Sequence, residues 1–291
     1  MRRLLSRRAA LAAAALAWPA LHLRAQGAAG PRRIVSAGGA LTEIVYALGA
    51  EAELVGVDTT SLFPAAAQRL PSVGYARALS AEGVLSLRPT LLLHGADAGP
   101  PAVLAQLAAT RLAMERLDID HRLEGLLAAT RRVAALTTRE AEGLRLAQRL
   151  QAEWDAARRE VAARGAGAPA PRVLFVLSHS MAQVRISGRD TGADVMIRLA
   201  GGANAFAGTT GYKPLAPEAA IAAAPELILC TDQGLQAAGG VDGLLRAPGL
   251  AATPAGRARR VVAMDALLLL GFGPRLPQAV TQLAGLLHGR A

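Results

Sequence analysis

The segment Leu79-Ser-Ala-Glu-Gly-Val-Leu-Ser-Leu-Arg-Pro-Thr-Leu-Leu-Leu93 aligns without a gap with Leu215-Ala-Pro-Glu-Ala-Ala-Ile-Ala-Ala-Ala-Pro-Glu-Leu-Ile-Leu229. In each copy a short alanine- or serine-containing stretch runs to a proline, and an apolar run follows it. Because proline cannot continue a helix and a short apolar run fits a buried strand, each copy predicts a short helix and then a strand. The duplication predicts two lobes of related architecture.

A Gly-Tyr pair precedes each copy. Gly74-Tyr75 lies just upstream of the first copy, and Gly211-Tyr212 lies upstream of the second once a gap of one residue is allowed. Aromatic residues make up only 3% of the chain, so each tyrosine carries more information than usual. We therefore expect each lobe to present a Gly-Tyr loop ahead of its duplicated helix.

Outward from the first copy, strands alternate with helices. The N-terminal lobe is predicted to contain strand Arg33–Ser36, helix Leu41–Leu48, strand Leu54–Val57, the duplicated unit and helix Ala102–Ala109. Alternation of this kind is typical of a parallel sheet that is covered by helices on both faces. The predicted fold class is α/β, with two Rossmann-like lobes built on central parallel sheets.

A long helix is predicted between the lobes. From Thr138 to Arg164 the chain is rich in Ala, Glu, Arg and Leu, and its large apolar side chains recur at helical spacing at Leu144, Leu146, Leu150 and Trp154. Such a helix would be roughly 40 Å long at about 1.5 Å per residue. A single stiff helix would form a clamp rather than a flexible hinge, and the ligand is expected in the cleft between the lobes.

The N-terminus is typical of an export signal. A basic start is followed by an apolar run from Ala9 to Ala20 and by Leu23-Arg24-Ala25, which fits a cleavage site. Ser6-Arg7-Arg8-Ala9-Ala10-Leu11 also matches the twin-arginine export pattern. The predicted organisation is a signal peptide over 1–26, an N-terminal lobe over 31–136, a connecting helix over 137–165 and a C-terminal lobe over 171–291. The mature protein is expected in the periplasm.

Charge and cysteine content exclude some classes of protein. The formal net charge is +10, and removal of the five leader arginines leaves about +5 by simple charge counting. The chain has no dense basic run with interleaved aromatic residues, so its sequence does not suggest nucleic-acid binding. The single cysteine, Cys230, lies in an apolar run and is expected to be a small buried core residue.

Several motifs resemble one known family. Ile34-Val-Ser-Ala-Gly-Gly-Ala-Leu-Thr-Glu-Ile-Val-Tyr-Ala-Leu-Gly49 is similar to the N-terminal lobe of periplasmic binding proteins for haem, cobalamin and siderophores. Four further motifs resemble the haem-binding branch of this family. They are Gly74-Tyr-Ala-Arg-Ala-Leu-Ser-Ala-Glu-Gly83, Gly188-Arg-Asp-Thr-Gly-Ala-Asp194, Leu199-Ala-Gly-Gly-Ala-Asn-Ala-Phe206 and Leu270-Gly-Phe-Gly-Pro-Arg275. The resemblance covers nearly the whole mature chain in matching order. It implies a monomeric carrier that captures ferric haem and delivers it to an ABC permease dimer of the inner membrane.

The resemblance makes Tyr75 the first candidate for the iron ligand. Ferric haem is a hard acid, and tyrosine is an established axial ligand to haem iron. Arg77, two residues on, could supply a cation that favours the phenolate, or it could bind a propionate. His179, which follows a predicted C-terminal-lobe strand, is a possible second ligand, and Met181 and Tyr212 are lesser candidates for the pocket.

Haem propionates are anions, for which arginine is the natural partner because it can form paired hydrogen bonds. The candidate partners are Arg77, Arg185, Lys213 and Arg275, the last of which could instead be structural. Phe63 and Phe272 are candidate walls against the porphyrin face, although core packing explains Phe272 at least as well.

Glu82 and Glu218 occupy the same place in the two copies, in the first turn of the predicted helix. An acidic residue there complements the helix dipole by roughly 0.3–1 kcal/mol. The resemblance implies a second role, in which one acidic residue from each lobe docks onto arginines of the permease dimer.

Other functions remain open at this level. The ligand could instead be cobalamin or a ferric siderophore, neither of which needs a protein phenolate on its metal. An exported hydrolase could use Ser178, His179 and Asp190, but the sequence lacks a Gly-x-Ser-x-Gly elbow at that point. A sensor that never docks to a transporter is a third possibility. ATP hydrolysis is assigned to the partner, because no phosphate-binding loop motif with Lys-Ser/Thr occurs in the chain.

Overall fold

A computed structural model describes residues 32–177 and 184–289. The elements of the N-terminal lobe are β1 (Ile34–Ala37), α1 (Gly39–Ala47), β2 (Leu54–Val57), α2 (Ala81–Ser86), β3 (Leu91–His94), α3 (Pro101–Ala109), β4 (Ala113–Arg116) and α4 (Leu123–Leu136). Short 3-10 turns cover Glu51–Glu53, Ala67–Arg69 and Ala76–Ala78. The strands form one sheet in the order β2-β1-β3-β4, and all neighbours are parallel. The parallel sheet predicted for this lobe is confirmed.

The connecting helix α5 covers Glu140–Gly165, and the C-terminal lobe follows it. The elements of this lobe are β5 (Arg172–Leu177), β6 (Arg185–Ser187), α6 (Gly192–Leu199), β7 (Ala203–Asn204), β8 (Tyr212–Pro214), α7 (Pro217–Ala222), β9 (Leu227–Thr231), α8 (Asp232–Ala237), α9 (Gly240–Leu245), α10 (Pro254–Arg257), β10 (Val261–Met264), α11 (Ala266–Leu270) and α12 (Leu276–His288).

The sheet of the C-terminal lobe is mixed, whereas the sequence predicted a parallel one. Its order is β10-β9-β5-β6-β8; the first three strands are parallel, and β6 and β8 add in antiparallel orientation. The seven residues between β5 and β6 explain the difference, because a parallel neighbour needs a crossover of about a dozen residues or more. The parallel centre of this sheet agrees with the prediction of central parallel sheets.

The duplication appears in the backbone as well as in the sequence. The helices α2 and α7 correspond, as do the strands β3 and β9 that follow them. Arg88 and Ala224, which stand directly before the two aligned prolines, both adopt left-handed φ values, of 47° and 44°. Gly74 and Gly211 of the Gly-Tyr pairs also have positive φ values, of 87° and 69°, which glycine adopts without strain.

The two lobes share one hydrophobic core. Helix α5 packs against α4 on one side and against α12 on the other. The largest buried apolar cluster includes Leu93 of β3, Leu146 and Leu150 of α5, and Phe175 of β5. Leu144, which the sequence placed on the same apolar stripe, is instead 60% exposed. This continuous core agrees with the predicted stiff connection between lobes.

Cys230 is 1% exposed in β9, as expected for a core residue. Within the described segments, no helix combines the length and apolar character that a membrane span requires.

Candidate functional site

A cleft of about 790 Å³ lies at one end of the N-terminal sheet, where the loops after its strands meet the C-terminal lobe. This is the edge at which parallel α/β sheets bind ligands. The N-terminal lobe contributes residues 37–41 after β1, residues 59, 60 and 62 after β2, residues 75–77, residues 95–97 after β3 and residues 117–121 after β4. The C-terminal lobe contributes Ala266, Leu267, Leu270 and Gly271. The volume of the cleft is in the range that a small-molecule ligand requires.

Tyr75 and Arg77 lie together on the cleft wall, as the sequence predicted for a binding loop. Tyr75 directly precedes the 3-10 turn Ala76–Ala78, and its side chain is exposed. The guanidinium carbon of Arg77 is 5.9 Å from the centre of the Tyr75 ring. A phenol that is accessible from the cleft therefore has a guanidinium close to its ring.

Asp97 orients the Arg77 side chain. Nε of Arg77 donates to Oδ2 of Asp97 at 2.8 Å, and Nη2 lies 2.7 Å from the same oxygen. Both side chains are well exposed, so the pair itself stabilises the fold little. Because one carboxylate oxygen receives both contacts, other guanidinium donors remain for an anionic ligand group.

Tyr212 of the second Gly-Tyr pair lies within electrostatic range of Arg77 but is not among the described residues that line the cleft. Burial raises the pKa of Tyr212, while the backbone amide of Ala193, the Thr191 side chain and the positive charge of Arg77 oppose that rise. The Tyr212 ring also meets the Phe175 ring at a centroid distance of 6.5 Å. Tyr212 is thus anchored within its own lobe, whereas Tyr75 is open to the cleft.

Buried hydrogen bonds hold the floor of the cleft. The Asp58 carboxylate is buried and accepts hydrogen bonds from the backbone amides of Gly38 and Thr60 and from the hydroxyls of Thr60 and Ser61. A Cβ at Gly39 would clash with the Thr60 carbonyl and with Leu267 of the other lobe. The first turn of α1 therefore sits in a fixed place between the two lobes.

Phe272 does not form a wall of the cleft, which differs from one of the predicted roles. It is 1% exposed and has a positive φ of 53°, and its ring packs against that of His121 at a centroid distance of 4.6 Å. His121, which the sequence analysis missed, comes from the N-terminal lobe and lines the cleft itself. Burial lowers the pKa of His121, against the opposing effect of the Asp120 and Asp97 charges.

Arg275 is also placed differently from the propionate role predicted for it. Its guanidinium donates from Nε to Oε2 of Glu43 at 3.0 Å and from Nη2 to Oε1 at 2.6 Å. The Phe63 ring covers the guanidinium, with its centre 3.8 Å from the guanidinium carbon. Arg275 and Phe63 therefore contact each other, and the structural role of Arg275 that the sequence left open is the one observed.

Arg185 and Lys213 lie outside the cleft. Arg185 on β6 donates from Nη2 to the Tyr212 carbonyl at 2.6 Å, and Lys213 is exposed on β8. Neither is among the described residues that line the cleft. His179 and Met181 fall in 178–183, outside the described residues.

Glu82 and Glu218 are exposed in the first turns of α2 and α7, at equivalent positions of the two copies. The N-terminal caps differ, because the Ser80 hydroxyl accepts from the Gly83 amide whereas α7 begins with Pro217 and has no side-chain cap. Both carboxylates remain free to meet a partner.

The residues that the sequence analysis missed share one signal. Asp97 and His121 follow β3 and β4, at the strand ends where ligand-contacting loops emerge. Strand β4 was not predicted, so its loop was not considered. Across the described residues no group of three or more His, Cys, Asp or Glu side chains is arranged to hold a metal ion.

A comparison with family models decides the family. The model described as "Periplasmic binding protein" matches residues 34–268, which is most of the chain. The chain belongs to this family. It has the two lobes and the long connecting helix of the class that the motifs resembled.

Several solved structures of family members are similar over nearly their whole length. The periplasmic heme-binding protein BhuT, in complex with two hemes, is 51% identical, with a TM-score of 0.85 over 89% of this chain and 98% of that one. The periplasmic heme-binding protein RhuT from Roseiflexus sp. RS-1 is 45% identical, with the same TM-score and coverage. A periplasmic heme-binding protein from Pseudomonas aeruginosa is 37% identical, with a TM-score of 0.81 over 90% of this chain and 94% of that one.

Curated relatives are more distant. An uncharacterized ABC transporter substrate-binding lipoprotein, YvrC of Bacillus subtilis, is 25% identical over 87% of this chain and 79% of its own length. A vitamin B12-binding protein of Pectobacterium carotovorum is 29% identical over 42% of this chain and 44% of its own length.

Proposed function

We propose that this protein is a periplasmic carrier that captures ferric haem in the interlobe cleft, with Tyr75 as the iron ligand. The observation that carries the proposal is an exposed phenol on the cleft wall with a guanidinium 5.9 Å from its ring. Similarity to periplasmic heme-binding proteins, at up to 51% identity for those compared, supports haem as the ligand. The N-terminal leader motifs support export to the periplasm.

The chemistry of the cleft suits a ferric macrocycle with carboxylate arms. A phenolate is a hard anionic donor for ferric iron. Leu117, Leu267 and Leu270 supply apolar surface against the porphyrin, and Arg77 has guanidinium donors left for a propionate. The hydrophobic core that both lobes share is expected to keep the two walls in place before the ligand arrives, which would reduce the entropic cost of binding.

A titration with ferric haem tests the ligand and the residue together. We expect Tyr75→Phe to lose the absorption bands of a phenolate complex and to bind at least about tenfold more weakly, which corresponds to about 1.4 kcal/mol. Tyr212→Phe is the matched control, because its phenol is anchored within the C-terminal lobe, and it should keep the wild-type spectrum. The assignment of Tyr75 would be wrong if Tyr75→Phe kept that spectrum and affinity.

His179 is proposed as a second axial ligand, and Met181 as a neighbour of the iron. In His179→Ala, a change of spin state with Tyr75 still bound would support ligation by both residues. A spectrum identical to that of the wild type would remove His179 from the iron site.

Cobalamin is the second candidate ligand, favoured by the partial similarity to vitamin B12-binding proteins. A cobalamin carrier does not need a phenolate on the metal. If cobalamin binds and Tyr75→Phe binds it as tightly as the wild type, this candidate replaces haem.

Delivery to an ABC permease dimer is proposed to use Glu82 and Glu218. One exposed carboxylate on each lobe, at equivalent positions of a duplicated unit, fits a partner with two-fold symmetry. The double variant Glu82→Arg and Glu218→Arg should bind haem normally yet fail to stimulate ATP hydrolysis by the reconstituted permease. Full stimulation by this variant would show that docking does not depend on these two carboxylates, and a wild type that does not stimulate the permease would favour a sensor that does not dock.

The protein is proposed to act by binding and not by catalysis. The hydrolase that Ser178, His179 and Asp190 could form predicts ester turnover by the purified protein. Turnover that is lost in Ser178→Ala would overturn the carrier assignment, and its absence in the wild type would support it.

A further inference from the structure

The pair Glu43–Arg275 connects the two lobes. Glu43 lies in α1 of the N-terminal lobe, and Arg275 directly precedes α12 of the C-terminal lobe, 232 positions later. Two guanidinium nitrogens of Arg275 each donate to a different carboxylate oxygen of Glu43, at 3.0 and 2.6 Å. This paired geometry is the most directional that an arginine and a carboxylate can form.

The pair is largely buried, and its surroundings fix its orientation. The Glu43 side chain is 4% exposed and that of Arg275 is 20% exposed. Phe63 of the N-terminal lobe covers the guanidinium face, 3.8 Å from the guanidinium carbon. The guanidinium is therefore held in its plane by Glu43 and across its face by Phe63, and both partners belong to the opposite lobe.

Each residue of this group lies next to the cleft in the chain. Glu43 lies in α1 two residues after Leu41, and Leu41 lines the cleft. Phe63 directly follows Leu62, which is another cleft residue. Arg275 is separated by only three residues from Gly271, which lines the cleft. A change in the spacing between the lobes must therefore disturb this group and the cleft walls together.

Net stabilisation does not explain the arrangement. The desolvation of a buried ion pair offsets much of its attraction, so such a pair contributes little to stability compared with apolar residues of the same volume. What it can supply is specificity, because any other spacing of the lobes would leave a buried charge unpaired.

We propose that Glu43, Arg275 and Phe63 form an interlobe lock that fixes the width of the cleft and so slows release of the ligand. Glu43 and Arg275 are positioning residues in this proposal, since they act through the distance between the lobes. The effect on the ligand rests on the proposed function, but the effect on the distance does not.

The distance is measurable on the ligand-free mature protein. Spin labels at Gln106→Cys on α3 and Gln236→Cys on α8, both exposed helix positions, report the interlobe distance by electron–electron double resonance. Cys230 is buried and should remain unlabelled. We expect one narrow distance distribution for the wild type and a broader or longer one for Glu43→Gln and for Arg275→Lys, which keeps the charge but loses the paired donors and the stacking plane.

The matched control breaks an equivalent pair inside one lobe. Arg132 of α4 donates to both oxygens of Glu115 on β4, at 2.7 and 2.8 Å. Glu115→Gln should leave the interlobe distribution unchanged. The charge-swapped variant Glu43→Arg with Arg275→Glu should narrow the distribution again relative to either single variant, which a general loss of folding would not do.

Transfer of bound haem to excess apomyoglobin then measures release. Glu43→Gln and Arg275→Lys should raise the dissociation rate constant about threefold to tenfold with a small change in the association rate constant, because interface changes act mostly on dissociation. Unchanged distances in both variants would overturn the lock. Altered distances in a protein that does not bind haem would leave the lock in place and refute the proposed function.

Discussion

At the residue scale, Arg275 and Phe272 of the C-terminal lobe are both held by residues of the N-terminal lobe, Arg275 by Glu43 and Phe272 by His121. Arg275 was a reasonable candidate for an anionic ligand because guanidinium groups bind carboxylates, yet the carboxylate that it binds is Glu43, 232 positions away. Phe272 illustrates the same limit, since nothing in its neighbours predicts that its ring packs on His121 of the other lobe. Tyr75 and Arg77 lie close together because they share one short loop, which is visible in the sequence.

Glu43 should make stability depend on pH in a distinctive direction. Burial raises the pKa of Glu43, and the nearby Asp265 charge adds to that rise, while Arg275 opposes both. The folded state thus holds this proton more tightly than the unfolded state, so the contribution of Glu43 is fully present below the unfolded pKa of about 4.3 and is lost as the pH rises through the folded pKa.

Glu43→Gln, which mimics the protonated acid and does not titrate, provides the reference for that prediction. The free energy of unfolding of the wild type minus that of the variant should be greatest near pH 4 and should decline toward pH 7, as measured by urea unfolding. A difference that grows with pH would show that attraction to Arg275 outweighs burial.

Cys230 should be chemically silent in the folded protein. It is 1% exposed, and burial raises its pKa to about 12, so almost no thiolate is present at pH 8. We expect no reaction of the native mature protein with a disulfide reagent such as DTNB, and one equivalent of reaction in denaturant. Rapid native reaction would mean that β9 opens readily.

At the element scale, the periodicity and the internal repeat predicted those helices and strands that a local residue pattern marks. The duplicated helix–strand units, β2, β5 and the long α5 were all anticipated because apolar spacing and prolines mark them. Strand β4, with partly exposed residues Ala113–Arg116, carries no apolar run and was missed. The antiparallel strands β6 and β8 were missed because their pairing depends on a short connection and not on residue pattern.

Helix α5 allows a direct comparison of buried and exposed leucines. Leu150 is 1% exposed within the shared core, and Leu144 on the same helix is 60% exposed. Leu150→Ala should lower the free energy of unfolding by about 2–5 kcal/mol through lost burial and a residual cavity. Leu144→Ala should change it by about 0.5 kcal/mol or less. Equal effects, measured by urea unfolding, would contradict the orientation of α5.

At the scale of the whole molecule, the two lobes are expected to behave as one unit. The sequence predicted a stiff clamp from a single long helix, and the continuous core through α4, α5 and α12 gives that stiffness a physical basis. The contacts that close the floor of the cleft, such as Gly39 against Leu267, depend on tertiary packing and could not be read from either lobe alone.

A shared core predicts cooperative unfolding. Trp154 on α5 packs against this core and reports its integrity by fluorescence, while far-ultraviolet circular dichroism reports both lobes. In a urea titration of the mature protein the two signals should give coincident transitions. Separate transitions would show that one lobe unfolds without the other and that the connection is not stiff.

The central claim is that Tyr75 holds a ferric macrocycle between the lobes, and iron anomalous diffraction from crystals of the mature protein grown with ferric haem tests it most directly. We predict one strong iron peak within coordination distance of the Tyr75 phenol oxygen, with the macrocycle in contact with Leu267 of the opposite lobe. An iron peak away from residue 75, or a cleft without iron in crystals of haem-loaded protein, would contradict it.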